Sequence, residues 1–404
     1  MPERDGLMDL AQATAADLQA NFDAIERGEA ENITTPYTMI WFLPLVPHAL
    51  KGGVRTVFAF SEHMSIRHGT QSVFVIYSFN GRDFDTSGLV ASLRENFPRL
   101  NFVVRVFRRN IDRAEDLPAS DIAFCTLWTT AYVMLRYNQT RRKFYFMQDF
   151  EPMFYAGGDL YMMIEQTYRF GYSCIANTPG VGRKYLQYSD DMVSFLPGID
   201  HSVFYPSDTP RPTGGPFRAV FYGRPENARN GFFLGTDILK SLKAKMGDRI
   251  EILSAGAEWE PSQYGLDGVV NNLGLLKTIK EVADLYRSCD LGLVFMATPH
   301  PSYQPLEYMA CGCLTVTNIN EANQWLLNRE NALLVEPIPD IAANRMVDIL
   351  GDAPRRAQLV AKGRDTVLGL DWNNAFAIIE RRILSSRGPR ANRPDAPNLA
   401  EAGR

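Results

Sequence analysis

The strongest constraint on this chain is its order of elements: short apolar runs alternate with helix-forming segments, twice, with a proline- and glycine-rich break between the two series. Residues 37–43 are a short apolar run bounded by prolines, the pattern of a buried strand in a parallel sheet, and runs at 72–77, 101–107, 121–126, 143–147, 173–176 and 193–196 continue the series as strands. Helix-like segments such as 54–64 fall between most of them. Residues 205–217, YPSDTPRPTGGPF, hold four prolines and two glycines and read as a linker. A second series follows at 218–222, 250–253, 291–295, 313–317 and 332–335, with helices expected at 231–246, 278–288, 304–311, 339–370 and 372–384. Such alternation predicts two doubly wound α/β domains.

A chain of 404 residues has room for two such domains. Its 46% hydrophobic and 22% charged residues suit a globular protein, and a net charge of −4 gives no global reason to expect nucleic-acid binding. Cys125, Cys174, Cys289, Cys311 and Cys313 lack the paired spacing of a zinc site and read as reduced, mostly buried thiols, so no metal is expected. The start, MPERDGLMDL, lacks the apolar core of a signal peptide, and no apolar run is long enough for a transmembrane helix; a cytoplasmic location is expected. The segment 8–28 reads as a helix within an N-terminal arm, 1–36. The Pro-, Arg- and Asn-rich residues 387–404 read as a disordered tail.

Ligands of doubly wound sheets bind at the carboxyl ends of the strands, so the loops after the strands carry the functional argument. The first loop ends in Gly52-Gly53, whose small residues let a ligand approach a helix N-terminus; a plain tight turn fits equally. Gly223-Arg224 and Arg229 follow the first strand of the second series, where two guanidiniums can clamp a diphosphate, although a solvated loop is the bland alternative. His300, Ser302 and Tyr303 lead into the helix of Glu307; first-turn amides there suit phosphate oxygens, and the acid suits ribose hydroxyls if it is not simply a surface charge. Gln148-Asp149-Phe150-Glu151-Pro152 sets two carboxylates among aromatics, the composition of a sugar subsite with Asp149 or Glu151 as acceptor base, or of a capped helix start.

The order of these motifs resembles glycosyltransferase family 4: Gly52-Gly53, then Leu196-Pro197-Gly198-Ile199-Asp200, Gly223-Arg224, Asn272-Leu273-Gly274, and Leu306-Glu307 through Gly312. The segment 148–152 and the His300-Pro301-Ser302-Tyr303 loop are similar to WsaF-type bacterial rhamnosyltransferases. The resemblance implies the GT-B fold, two Rossmann-like domains facing across a cleft: 37–205 plus 372–386 on the acceptor side, and 206–371 for the nucleotide sugar. It implies Arg224 and Arg229 on the diphosphate, Glu307 on the donor ribose, and Gly52, Gly53 and Gly223 against the donor. It also implies retention of anomeric configuration and no cofactor beyond a nucleotide-diphosphate sugar, dTDP-rhamnose. The expected acceptor is an oligosaccharide or lipid-linked glycan of cell-surface polysaccharide synthesis, with peripheral inner-membrane contact. One departure stands out: the family's sugar-facing glutamate is replaced by Pro299, with His300 and Ser302 as substitutes. That loss keeps open a non-catalytic glycan-binding subunit, or an enzyme for another nucleotide sugar.

Overall fold

The computed structural model describes residues 6–29, 33–46, 48–49, 52–207 and 214–385. The tail expected at 387–404, residue 386, and Pro47, Leu50 and Lys51 of the first loop lie outside the described residues. Two compact units are present: Met1–Leu196 with Ala375–Arg404, and Pro197–Asn374.

The first unit is built on seven strands: β1 (Thr38–Leu43), β2 (Gln71–Ser78), β3 (Phe102–Arg108), β4 (Ser120–Cys125), β5 (Thr140–Met147), β6 (Ser173–Asn177) and β7 (Met192–Phe195). They form one parallel sheet in the order β3-β2-β1-β4-β5-β6-β7. Ile40, Trp41 and Phe42 are wholly buried because helices cover both faces, which is why β1 shows no polar alternation. Trp41 stacks on Phe124 of β4 at 3.9 Å between ring centroids.

Helix Ala15–Glu29, read from sequence as part of an arm, packs into this unit. Its buried Asn21 accepts a hydrogen bond from Lys143 Nζ on β5 (2.8 Å) and donates to the Phe170 carbonyl (2.8 Å). Helix Trp372–Leu384 brings residues from 375 onward into the same unit. There Glu380 accepts from His63 and His68 of helix Val54–His68, each at 2.8 Å, and Arg142 donates to the carbonyls of Ile383 and Ser385 at 2.7 Å. The Arg142 bonds satisfy carbonyls at the end of this helix, while the Glu380 bonds tie it to helix Val54–His68.

The second unit holds β8 (Phe217–Tyr222), β9 (Ile250–Ala255), β10 (Asn271–Asn272), β11 (Leu291–Leu293), β12 (Leu314–Asn318) and β13 (Leu333–Val335). Their parallel order is β10-β9-β8-β11-β12-β13. The two-residue β10 lay below the length at which sequence periodicity registers a strand. The single helix expected at 339–370 is two, Pro339–Gly351 and Ala353–Val367. Asp352 breaks it: its side chain accepts the Arg355 N–H (2.9 Å), and Pro354 follows in the first turn of the new helix.

Both sheets begin at their middle. The chain runs outward from β1 to β2 and β3, then returns to β4; in the second unit it runs from β8 to β9 and β10, then returns to β11. The carboxyl ends of β1 and β4, and of β8 and β11, are therefore the topological switch points where connections diverge and leave a crevice.

Candidate functional site

In the second unit the loop 223–231 leaves β8 at this switch point. Gly223 donates to the Ala255 carbonyl (3.2 Å) and accepts from Trp259 Nε1 (3.1 Å). A Cβ there would run into Ser254 Oγ, so close packing on β9 already requires glycine. Arg224 does not extend freely: Nε donates to Glu226 (3.0 Å), and another guanidinium nitrogen donates to the Tyr222 hydroxyl (3.1 Å). Burial works against its charge, but Tyr222 and Glu226 outweigh that and raise its pKa, so Arg224 is a permanent cation.

Arg229 lies on the single turn Ala228–Asn230, and its carbonyl accepts the Ala297 N–H at 2.9 Å. That bond ties the loop after β8 to the loop after β11. The second loop carries His300, which is 7% exposed. Burial first, and the charge of Arg229 second, push its pKa down to about 3. The ring is therefore neutral at pH 7. Its Nδ1 accepts the Ser302 N–H (2.9 Å), so the proton sits on Nε2 and this atom is a donor. Ser302 has φ 69°, a left-handed conformation that costs a non-glycine residue about 1–3 kcal/mol and is concentrated at functional sites. Its hydroxyl donates to Gln304. The Tyr303 ring lies 5.5 Å from that of His300.

Helix Gln304–Ala310 starts here, and the Glu307 N–H closes its first turn on the Tyr303 carbonyl (3.1 Å). The Glu307 side chain is half-buried, and its charge acts on Tyr286 and Tyr308, both raised first by burial. Of the residues singled out in this unit, Arg229, His300, Ser302 and Tyr303 are drawn into one cluster. Arg224 is anchored separately on Tyr222 and Glu226, and Glu307 stands one turn further along its helix.

In the first unit, Gly52 has φ 55° and Gly53 opens helix Val54–His68 without a side-chain cap. A Cβ on Gly53 would lie 2.6 Å from Gln148 Oε1. Gln148 of the 148–152 motif thus reaches the glycine loop. Gln148 is held by Asn177 Nδ2 (3.0 Å), beside Thr178 at φ 90°. Glu151, the other candidate acceptor base, has structural partners. It is 2% exposed and accepts the Trp128 N–H (2.5 Å) at the start of helix Trp128–Arg136, together with the Tyr145 hydroxyl (3.1 Å). It is a helix anchor. Asp149 is 6% exposed and accepts its neighbour's N–H, from Phe150, at 2.8 Å.

Sequence reading missed Gln148 as a contact of the loop. It also missed Asn318, Asn320 and Asn323, which hold the loop after β11 from the far side. Their only sequence signal is a run of asparagines just past a strand, N-I-N-E-A-N. All five cysteines are buried, and none forms a disulfide. Among the described residues, no cluster of three or more His, Cys, Asp or Glu is arranged to hold a metal, and no helix is long and apolar enough to cross a membrane.

Residues 217–346 match the family described as WsaF, C-terminal domain. Over 352 residues, 86% of the chain, the sequence is 44% identical to the O-antigen biosynthesis protein RfbC of Myxococcus xanthus, covering 27% of that protein. It is 25% identical over 236 residues to the D-inositol 3-phosphate glycosyltransferase of Stackebrandtia nassauensis, covering 49% of this chain and 51% of that one. The chain thus spans about a quarter to a half of the length of these curated relatives. Anabaena HepE, solved with UDP and glucose, superposes with a TM-score of 0.66 at 16% identity, covering 86% of this chain and 99% of that one. TarM gives 0.65 at 8% identity, with 87% and 99% covered. Sucrose-phosphate synthase from Thermosynechococcus elongatus gives 0.63 at 17%, with 85% and 98% covered. Two switch-point α/β units in this order, superposing over nearly the full length of such structures, give the chain the GT-B fold of glycosyltransferases.

Proposed function

We propose that the chain is a glycosyltransferase of cell-surface polysaccharide synthesis, with the nucleotide-sugar diphosphate on the second unit and the saccharide acceptor on the first. The observation that carries this reading is the joined pair of loops at the β8/β11 switch point. There a bond from Ala297 to the Arg229 carbonyl joins the loop of Arg229 to that of His300, a neutral imidazole whose proton is on Nε2 and which feels the charge of Arg229. Cation and neutral donor together suit an oxygen-rich dianion whose charge grows as the sugar leaves. Arg224 adds a second permanent charge on the same loop, and in this reading Glu307 binds the donor ribose. The 44% identity to a protein named for O-antigen biosynthesis supports the polysaccharide context, and the HepE complex with UDP and glucose supports a nucleotide-sugar donor.

In the proposed reaction the bond from the anomeric carbon to the diphosphate breaks, and the acceptor hydroxyl oxygen bonds to that carbon on the same face. The departing diphosphate takes the hydroxyl proton. Fixed guanidiniums replace a metal in this scheme. The finer reading is L-rhamnose from dTDP-rhamnose, on the cytoplasmic side with peripheral membrane contact. Pro299, in place of the family's sugar-facing acid, agrees with a sugar lacking the 6-hydroxyl. It also favours a second reading, a glycan-binding subunit without turnover.

A panel of nucleotide sugars separates these. Slow release of dTDP or UDP from its sugar, lost in Arg229→Ala, supports the enzyme. Thermal stabilisation by dTDP-rhamnose above UDP- and GDP-sugars supports the finer reading. Glycan binding with no nucleotide release under any donor overturns the transferase.

A further inference from the structure

The loop 296–302 has little means of holding itself. Pro299 and Pro301 supply no N–H, and the Ser302 N–H is used by His300. Regular pairing of β11 with β12 ends at Leu293 and Val316, with one further bond from the Val294 N–H to the Val316 carbonyl (3.1 Å). Beyond these residues β12 continues to Asn318, opposite Met296 of the loop.

The Asn318 side chain supplies the next rung. Asn318 Oδ1 accepts the Met296 N–H (2.8 Å), and Nδ2 donates to the Met296 carbonyl (3.0 Å). Asn320 Nδ2 donates to the carbonyls of Met296 (3.1 Å) and Thr298 (2.9 Å), while its Oδ1 accepts the Ala322 N–H (3.0 Å) and fixes the amide's orientation. Asn323 Nδ2 adds a longer bond to Thr298 (3.4 Å). From the other side, the Arg229 carbonyl takes the Ala297 N–H (2.9 Å).

We infer that Asn318 and Asn320, assisted by Asn323, are positioning residues. They form a side-chain clamp that sets the loop carrying His300, Ser302 and Tyr303 at the distance from Arg229 needed to bind the diphosphate of a nucleotide sugar. This rests on the proposed donor site in the second unit. The clamp acts through the loop backbone and touches no ligand. It fixes three backbone groups that lie beyond the last residues of β11, so the binding geometry exists before the ligand arrives.

The test uses the full chain with Asn320→Asp and Asn318→Ala. Asn320→Asp keeps the acceptor for Ala322, removes the donor to the two carbonyls and sets a negative charge against them. Hydrogen exchange at Met296 and Ala297 reads the clamp, and calorimetry with UDP and dTDP reads the site. Exchange at these two amides is expected to rise at least about tenfold, with protection in β8 and β9 unchanged, and Kd for the better nucleotide to weaken about tenfold. Where donor turnover is measured, KM should rise more than kcat falls. Wild-type-like exchange and Kd in both variants overturn the inference. So does loss of protection spread over the whole sheet, which marks a merely structural role. If the wild-type protein binds neither nucleotide, the donor-site reading fails; the exchange result then still decides whether the clamp holds the loop.

Discussion

Glu151 offers the sharpest separation between a residue that does chemistry and one that holds the fold. It is 2% exposed, and its carboxylate receives the first N–H of helix Trp128–Arg136 at 2.5 Å and the Tyr145 hydroxyl at 3.1 Å. Replacing it with alanine leaves a buried N–H and a buried hydroxyl without acceptors. At about 1–3 kcal/mol for each such group, the loss is on the order of 2–6 kcal/mol. Replacing it with glutamine is milder. The amide oxygen can still accept from Trp128, and the Tyr145 hydroxyl can turn to accept from the new amide. What goes is the negative charge at the helix N-terminus and the strength it lends both bonds, roughly 2 kcal/mol. For a unit of this size each kcal/mol shifts Tm by about 2–4 °C, so Glu151→Gln should lower it by about 4–8 °C and Glu151→Ala by more. Differential scanning calorimetry reads this, paired with donor turnover at 20 °C, where both variants remain folded. Turnover should fall less than about threefold in Glu151→Gln. An unchanged Tm with turnover down a hundredfold would refute the anchor and restore Glu151 as the acceptor base.

The buried, neutral His300 gives a pH signature. Its folded pKa of about 3 lies below the unfolded value near 6.5, so the unfolded chain binds more protons between those limits. Its contribution to stability is therefore fully present above about pH 6.5 and is lost as pH falls toward 3, by at most about 1.4 kcal/mol per pH unit. His300→Gln should flatten that part of the Tm–pH curve; an equally steep acid limb in the variant would show that other groups cause it. Lys143, wholly buried on β5, behaves similarly at alkaline pH. Burial depresses its pKa, so stability should rise with pH from its folded value up to about 10.4, and Lys143→Met should remove that rise in thermal melts. Arg229→Ala, which removes the cation beside His300, should lower donor turnover about 10²–10³-fold with little change in Tm. Turnover within threefold of wild type would exclude it from the diphosphate site. Chelation with EDTA should leave turnover unchanged if guanidiniums carry the leaving-group charge, and loss restored by Mg²⁺ or Mn²⁺ would refute that scheme.

The two sheets were legible in the sequence because a strand buried on both faces must be apolar along its length. That requirement is local: β1, TMIWFL, meets it almost throughout, and β5 meets it over residues 144–147. Loops after such strands are functional by topology, so Gly53, Gly223, Arg229 and His300 could be picked out from position alone. The choice of partner was not legible. Asp149 and Glu151 look alike as acids after a strand, yet only folding places Glu151 under the N-terminus of helix Trp128–Arg136 and leaves Gln148 against Gly53. Arg224 and Arg229 look alike as cations, yet one is taken by Glu226 and the other is carried to His300 by pairing of β8 with β11.

The chain's own pattern thus determined that two sheets form and where most of their strands lie, since burial of apolar residues acts over a turn or a strand. The tertiary structure alone decided which charges are spent on the fold, which imidazole stays neutral and which asparagines stand in for a missing strand. Hydrogen bonds and charge interactions act between groups a few ångströms apart in space, and those groups come from segments that the sequence keeps far apart.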